Sequence, residues 1–282
     1  MLPSPLLRLI ALLLVWFSVS GFSTGARLLA PDADLWTRWE AHDPASQQSL
    51  DHSPWQSFLD RYRQDGTGDD AVRVAYDRVD EDGRALLESY LASLSAVSVS
   101  TLNRAEQFAY WVNLYNALTV RVVLEAYPVD SIRDIDISPG FFASGPWGAK
   151  LIAVEGEELT LNDIEHRILR PIWQDPRVHY VVNCASIGCP DLPEQALSAQ
   201  NAEAVMQQAA RSYINSSRGV RIRGEKVTVS SIYDWFYDDF GVRDRDVFNH
   251  LLDFAEPELR KNLEAIGEIS GTDYDWSLND AS

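Results

Sequence analysis

The run RAEQFAYWVNLYNALTVRVVLEAYP, residues 104–128, constrains this chain more than any other stretch. Wound at 100° per residue, almost every face from Ala105 to Tyr127 is apolar, and only Arg121 and Glu125 leave a narrow wet stripe. A helix that is apolar nearly all round has to be wrapped by other elements, so it is expected to be central and buried. Asn113 and Asn116 lie inside it. Asn116 falls in the apolar sector between Val112 and Val123, where an amide without partners costs about 1–3 kcal/mol. Two uses fit such a residue: tying the helix to a neighbouring loop backbone, or lining a polar cleft for a ligand.

The flanking sequence supplies the wrapping. Trp55 to Arg63 and Glu81 to Ser95 are amphipathic with helical period, and between them Val72, Val74 and Tyr76 fit a short strand. KLIAVEGEELTLNDIEHRILRP predicts a strand, a turn at Gly156 and a short helix capped by Thr160 with Asp163 three residues on. On that helix Leu161, Ile164, Ile168 and Leu169 form the apolar face and Glu165 sits in its middle, where a carboxylate needs a buried partner or a raised pKa. His166 lies on the flank, the place of a solvated or capping side chain. GVRIRGEKVTV is a hairpin turning at Gly224-Glu225, and SSIYDWFYDDFG opens a helix with Ser231 and Asp234 as a capping box. The fold class expected is α+β: helices, one long and buried, packed on a small, mainly antiparallel sheet.

The first 26 residues have a secretory layout: Arg8, an apolar run from Leu6 to Phe17, then small residues to Ala26. A signal peptide over 1–26 is expected, with an uncleaved anchor as the alternative, and the remaining 27–282 as one domain in a periplasmic or extracellular space. No repeat or Gly/Pro-rich linker interrupts the chain after Leu35. The balance of 42 acidic against 24 basic residues, net −18, argues against nucleic acid and anionic lipid as partners, since phosphate binding needs clustered Lys and Arg. The partner class left is a small-molecule or peptide ligand, with no membrane association once the signal is removed.

The stretch VHYVVNCASIGCPDL, Val178 to Leu192, carries both cysteines of the chain. RVHYVVNCA predicts a buried strand with His179, Val181 and Asn183 on one face and Tyr180, Val182 and Cys184 on the other. SIGCPDLP is then a loop, with Gly188 free to take positive φ and consecutive amides that could cradle an anion. Three uses of the sulfurs remain open. A Cys184–Cys189 disulfide suits an oxidising compartment and closes a loop worth about 2 kcal/mol. A Cys184 nucleophile would take His179 or Glu165 as its base. Zinc is disfavoured by the loose C-x4-C spacing and the lack of a paired histidine motif, so no metal and no cofactor is assigned.

EQFAYWVNLYNALTV, LTLNDIEHRILRP, DPRVHYVVNCASIGCPDL and VSSIYDWFYDDF together resemble the successive blocks of the domain-of-unknown-function 547 family, in order and spacing, from about Trp55 to Phe240. The resemblance implies a domain often exported in bacteria and found beside coiled-coil or redox modules in plants and animals. It also implies a fold similar to papain- or transglutaminase-like thiol enzymes. In transglutaminase-like domains a Cys opens the central helix and a His follows on a strand. His179 matches the histidine role, whereas Asn113 or Asn116 stands where the Cys is looked for. The resulting expectation is a cleft with Cys184, His179 and Glu165 as catalytic candidates and Asn113, Asn116, Cys189 and His166 as ligand-binding candidates. Its function is a thiol-dependent hydrolase or transferase on a peptide or amide-type ligand, or a non-catalytic binding module with a structural disulfide.

Overall fold

The computed structural model of the protein describes Phe22 and residues 30–140 and 144–282; apart from Phe22, the segment read as a signal peptide lies outside the described residues. The helices Ser53–Tyr62 (α1), Glu81–Ser95 (α2) and Arg104–Ala126 (α3) form where helical periodicity predicts them. Each start has a local cause. Pro54 stands at the beginning of α1, the Asp80 carboxylate accepts from the Gly83 amide at 2.8 Å, and Asn103 Oδ1 accepts from Ala105 and Glu106. α3 ends at Tyr127-Pro128, where proline removes the next donor. It is buried from Glu106 to Val120, so the expectation drawn from its all-round apolarity holds.

The protein is α+β, but among the described residues its strands make three small sheets rather than one. Arg63–Gln64 (β1) pairs antiparallel with Arg73–Val74 (β2), and Ile152–Val154 (β3) pairs antiparallel with Glu157–Leu159 (β4). A π-wound segment, Asp163–Leu169, runs on into Arg170–Trp173 (α4). Ala202–Ile214 (α5) leads to the antiparallel hairpin Val220–Arg223 (β5) and Lys226–Ser230 (β6), turned at Gly224 with φ +62°. The helical turns Ile232–Trp235 (α6) and Tyr237–Phe240 (α7) and the helices Asp244–Phe254 (α8) and Pro257–Ile266 (α9) follow. Gly271–Asp273 (β7) then adds parallel to β6. The capping box expected at Ser231 is not made: Ser231 already has helical φ and ψ, and its hydroxyl caps nothing. Among the described residues no helix is long and apolar enough to cross a membrane.

Apolar residues gather in two clusters. The first centres on α3 with Trp55, Phe58, Trp111, Leu118, Ile164 and Ile168; the second joins α5, β5, β6 and the helices after them. Residues 176–190 run along the seam, and here the strand expectation fails. Pro176–Tyr180 is a 3-10 helix, begun by Pro176 and by the Asp175 carboxylate accepting from the Arg177 amide at 2.9 Å. Three residues per turn put Val178 and Val181 into the first cluster while Tyr180 enters the second. The backbone groups a strand neighbour would take are taken by a side chain instead. Asn116 Nδ2 donates to Val181 O at 2.8 Å, and Asn183 N donates to Asn116 Oδ1 at 2.8 Å. Asn113 repeats the device on Leu197, donating to its carbonyl at 2.8 Å and accepting from its amide at 3.0 Å.

Asn116→Leu would strand two buried backbone groups at once, which costs about 2–4 kcal/mol. Urea unfolding is expected to show that loss, with the cleft described below disturbed; an unchanged midpoint would show that Val181 and Asn183 find other partners.

Candidate active site

A cleft of about 830 Å³ opens over the seam, lined by Tyr115, Glu165, His166, His179, Cys184 and Cys189, with Trp147, Trp235, Phe236, Tyr274 and Trp276 as aromatic wall. Asn113 and Asn116 do not line it. They act on the loops behind it, so the ligand-contact role entertained for them is replaced by a backbone-positioning one.

The charged half of the cleft is built on the π-wound segment. There the Arg170 amide donates to the carbonyl of Glu165, five residues back. This wider winding turns both Glu165 and His166 inward, so His166 is buried rather than a solvated flank. His179 stacks flat on Phe236, with ring centroids 4.4 Å apart, and is held at both nitrogens. Nε2 meets Asp239 Oδ2 at 2.7 Å, and Nδ1 lies 3.7 Å from Glu165 Oε1. Arg170 Nε donates to the same Asp239 oxygen at 2.5 Å, and its Nη1 lies 3.0 Å from His166 Nδ1. A guanidinium only donates, so His166 Nδ1 accepts and the ring is neutral with its proton on Nε2.

The titration behaviour follows from these contacts. Burial alone would depress His179, but the hydrogen bonds and charges of Asp239 and Glu165 outweigh it and raise the pKa. Burial pushes the Asp239 carboxyl up, and the bonds from His179 and Arg170 overcome it and bring it to about 2. Glu165 is also lowered: burial opposes ionisation, while the two imidazoles and the Tyr115 hydroxyl favour it. His166 is pulled down to about 4 by burial, with the Arg170 charge adding to the effect and Glu165 opposing it.

The sulfur half is separate. Cys184 and Cys189 are free thiols, and the bridge considered from their spacing is not formed in this structure. The Cys184 amide donates to Cys189 Sγ at 3.0 Å, so the two side chains lie against each other. Cys184 Sγ, Ser186 Oγ and Tyr274 OH form a triangle with sides of 3.1, 3.1 and 2.9 Å. The hydrogen bond from the Cys189 thiol lowers the Cys184 pKa, burial works against that, and the Ser186 and Tyr274 hydroxyls add to it. Burial pushes Cys189 in the opposite direction, up. Neither His179 nor Glu165 hydrogen-bonds Cys184, so the base expected for the thiol is not in contact with it. Among the described residues no group of three or more His, Cys, Asp and Glu is placed to hold a metal ion.

The loop carrying the sulfurs is bolted from behind. Ala185 takes the left-handed conformation at φ +58°, at a cost of about 1 kcal/mol. Asn183 fixes it by accepting from the Ala185 amide at 2.9 Å and donating to Pro190 O at 2.7 Å. Gly188 has no positive φ. It is needed because a Cβ there would come within 2.7 Å of the Asp275 amide nitrogen. The amides thought able to cradle an anion are spent internally, Ile187 on Ser277, Gly188 on Asp275 and Cys189 on Ser186. Periodicity and motif reading passed over Tyr115, Arg170, Asp239, Ser186, Tyr274 and Trp276. The one local signal was Arg170, four residues after His166; the others are brought in by tertiary folding.

Asp239→Asn removes the anion shared by His179 and Arg170, and its expected cost is about 3 kcal/mol, as for other buried pairs broken on one side. Asp239 contributes stability above its ordinary value of 3.8 that is lost as pH falls through about 2. His179, being raised, contributes stability below its ordinary 6.5 that is lost as pH rises through its folded-state midpoint. The stability gap between wild type and variant should therefore be widest from about pH 4 to about pH 6.5 and narrow as pH rises through the His179 midpoint. In the variant an imidazole titration followed by NMR should show that midpoint displaced downward; an unmoved midpoint would mean that Asp239 does not hold the proton.

No curated protein and no solved structure matched the chain in comparisons with either set. Residues 99–214 match the family model described as protein of unknown function, DUF547, a span that runs from five residues before α3 through both cysteines to the end of α5 and leaves out Asp239, Tyr274 and Trp276. Over that segment the chain is similar to the DUF547 family.

Proposed function

We propose that the protein is a thiol-dependent hydrolase or transferase acting on a peptide or amide-type ligand, with Cys184 as nucleophile. The observation that carries this is the sulfur triangle. Cys184 faces an aromatic cleft with two hydroxyls at 3.1 Å, and its pKa is lowered while that of Cys189 is raised. The chemistry balances without an outside base. As Cys184 Sγ forms a bond to the carbonyl carbon, its proton passes through the Ser186 or Tyr274 hydroxyl to the departing nitrogen, and the C–N bond breaks. Water or a second amine then attacks the thioester and returns a proton to the sulfur. Glu165 and His166 lie on the same cleft and supply polar contacts to the ligand, His166 through the proton on Nε2.

A second use is favoured by a different observation. His179 has both ring nitrogens engaged by carboxylates, so it has no lone pair to offer a thiol, and the charged half fits a binding module that does no chemistry. In an exported chain the adjacent sulfurs would then be joined as a disulfide.

Alkylation of the unreduced protein by iodoacetamide separates the two. The nucleophile proposal expects one fast-reacting sulfur, lost in Cys184→Ala, with a pH midpoint below the ordinary thiol value of 9.0. His179→Gln should leave that midpoint in place, because the imidazole does not touch the sulfur. Labelling of two sulfurs only after reduction would remove the nucleophile and leave the binding module.

A further inference from the structure

The rim of the cleft carries a cation with no counter-ion among the described residues. Arg133 is the one Arg or Lys among the described residues lining the cleft, in a chain of net charge −18. Among the described residues its guanidinium makes no hydrogen bond and no carboxylate lies at ion-pair distance. What holds it is an aromatic ring: its Cζ stands 5.2 Å from the centroid of Trp276. Contact with a ring face keeps the guanidinium flat and leaves its N–H fork free for an anion.

That ring is itself fixed. Trp276 stacks on Trp235 at 5.4 Å, meets Trp147 edge-on at 5.9 Å and packs on Tyr274 at 4.7 Å. Ser131 Oγ donates to Trp276 O at 2.7 Å and the Leu278 amide to Asp130 O at 2.8 Å, so the turn bearing Arg133 and the strand of chain bearing Trp276 are pinned to each other. Among the described residues the indole N–H groups of Trp147, Trp235 and Trp276 find no hydrogen-bond partner, which leaves them as donors to a ligand. The path from Arg133 over Trp276 to Tyr274 ends on Cys184 Sγ, 3.1 Å from the Tyr274 hydroxyl.

We infer that Arg133 and the Trp147, Trp235 and Trp276 indoles form a subsite for one carboxylate carried on a planar or aromatic amide ligand. The subsite rests on the proposed thiol chemistry only for the identity of the amide end, which it directs toward Cys184. A carboxylate is the anion that fits, because a single unpaired cation within a strongly acidic chain balances one charge and would leave a phosphate dianion uncompensated.

The probe pair is N-benzoylglycine and its neutral primary amide, titrated calorimetrically into the Cys184→Ser protein so that binding is read without reaction. The acid is expected to bind about tenfold tighter than the amide, and Arg133→Gln, a change at an exposed side chain, should remove about that factor. Arg133→Lys should restore only part of it, since a point charge lacks the planar fork. Added salt should weaken the acid and spare the amide. Equal affinity for the two probes, no binding of either, or an acid affinity indifferent to Arg133→Gln would overturn the subsite. Failure of the thiol reading is visible elsewhere: a wild-type Cys184 that resists alkylation, together with acid binding that depends on Arg133, would remove the nucleophile and leave the subsite standing.

Discussion

The carboxamide of Asn116 is the interaction on which the rest of the site depends. One buried side chain on the most buried helix satisfies the carbonyl of Val181 and the amide of Asn183, and so fixes a non-regular segment against α3. Between and beside those two anchors lie Tyr180, Val182 and Cys184, and just upstream lies His179. A strand at this position would have taken its hydrogen bonds from a neighbouring strand and presented its side chains alternately to two faces. Held by an amide instead, the segment can wind as a 3-10 turn and then break sharply at Ala185, sending His179 to the charged half of the cleft and Cys184 to the other. Asn183 and Asn279 extend the same logic: Asn183 supports the Ala185 turn, and Asn279 donates to Asn183 Oδ1 at 3.3 Å.

Much of the framework was legible before any coordinates, because helix periodicity, caps and turn residues are local properties. The helices α1 to α3, the turn at Gly156, the hairpin at Gly224 and the Thr160–Asp163 cap, whose reciprocal bonds measure 2.8–3.0 Å, all follow from a few adjacent residues. The segment RVHYVVNCA was not legible for a physical reason. β-Branched and aromatic residues in alternation satisfy a strand and a seam equally well, and only the two clusters they were drawn into decided the period. Glu165 could be singled out because a carboxylate on an apolar helix face must have a partner. Which partners those are could not be read, since Asp239 stands far along the chain and Tyr115 was one aromatic among many on an apolar helix. Tyr274 and Trp276 reach the cleft through a terminal stretch whose pairing with residues 186–188 is a wholly tertiary event.

The two halves of the cleft differ in how charge is handled, and that difference explains why the sulfur is set as it is. In the charged half the ionised groups are Glu165, Asp239, Arg170 and His179, two anions and two cations, with His166 neutral beside them. The cluster is balanced within itself, its groups are desolvated, and removing any one of them leaves a partner exposed to the cost of a lone buried charge. A balanced cluster projects little net field, and what reaches Cys184 from Glu165 raises its pKa rather than lowering it. An activated thiolate in this fold therefore cannot be the product of an adjacent imidazolium, the arrangement that gives many reactive cysteines their acidity. It has to come from donors that touch the sulfur: the Cys189 thiol, whose own ionisation burial opposes, and the Ser186 and Tyr274 hydroxyls. Those donors carry protons and no net charge, so they can stabilise the anion and pass a proton along the same bonds. The sulfur half of the site is thus independent of the histidine that the sequence made conspicuous, and tied to a tyrosine that it did not.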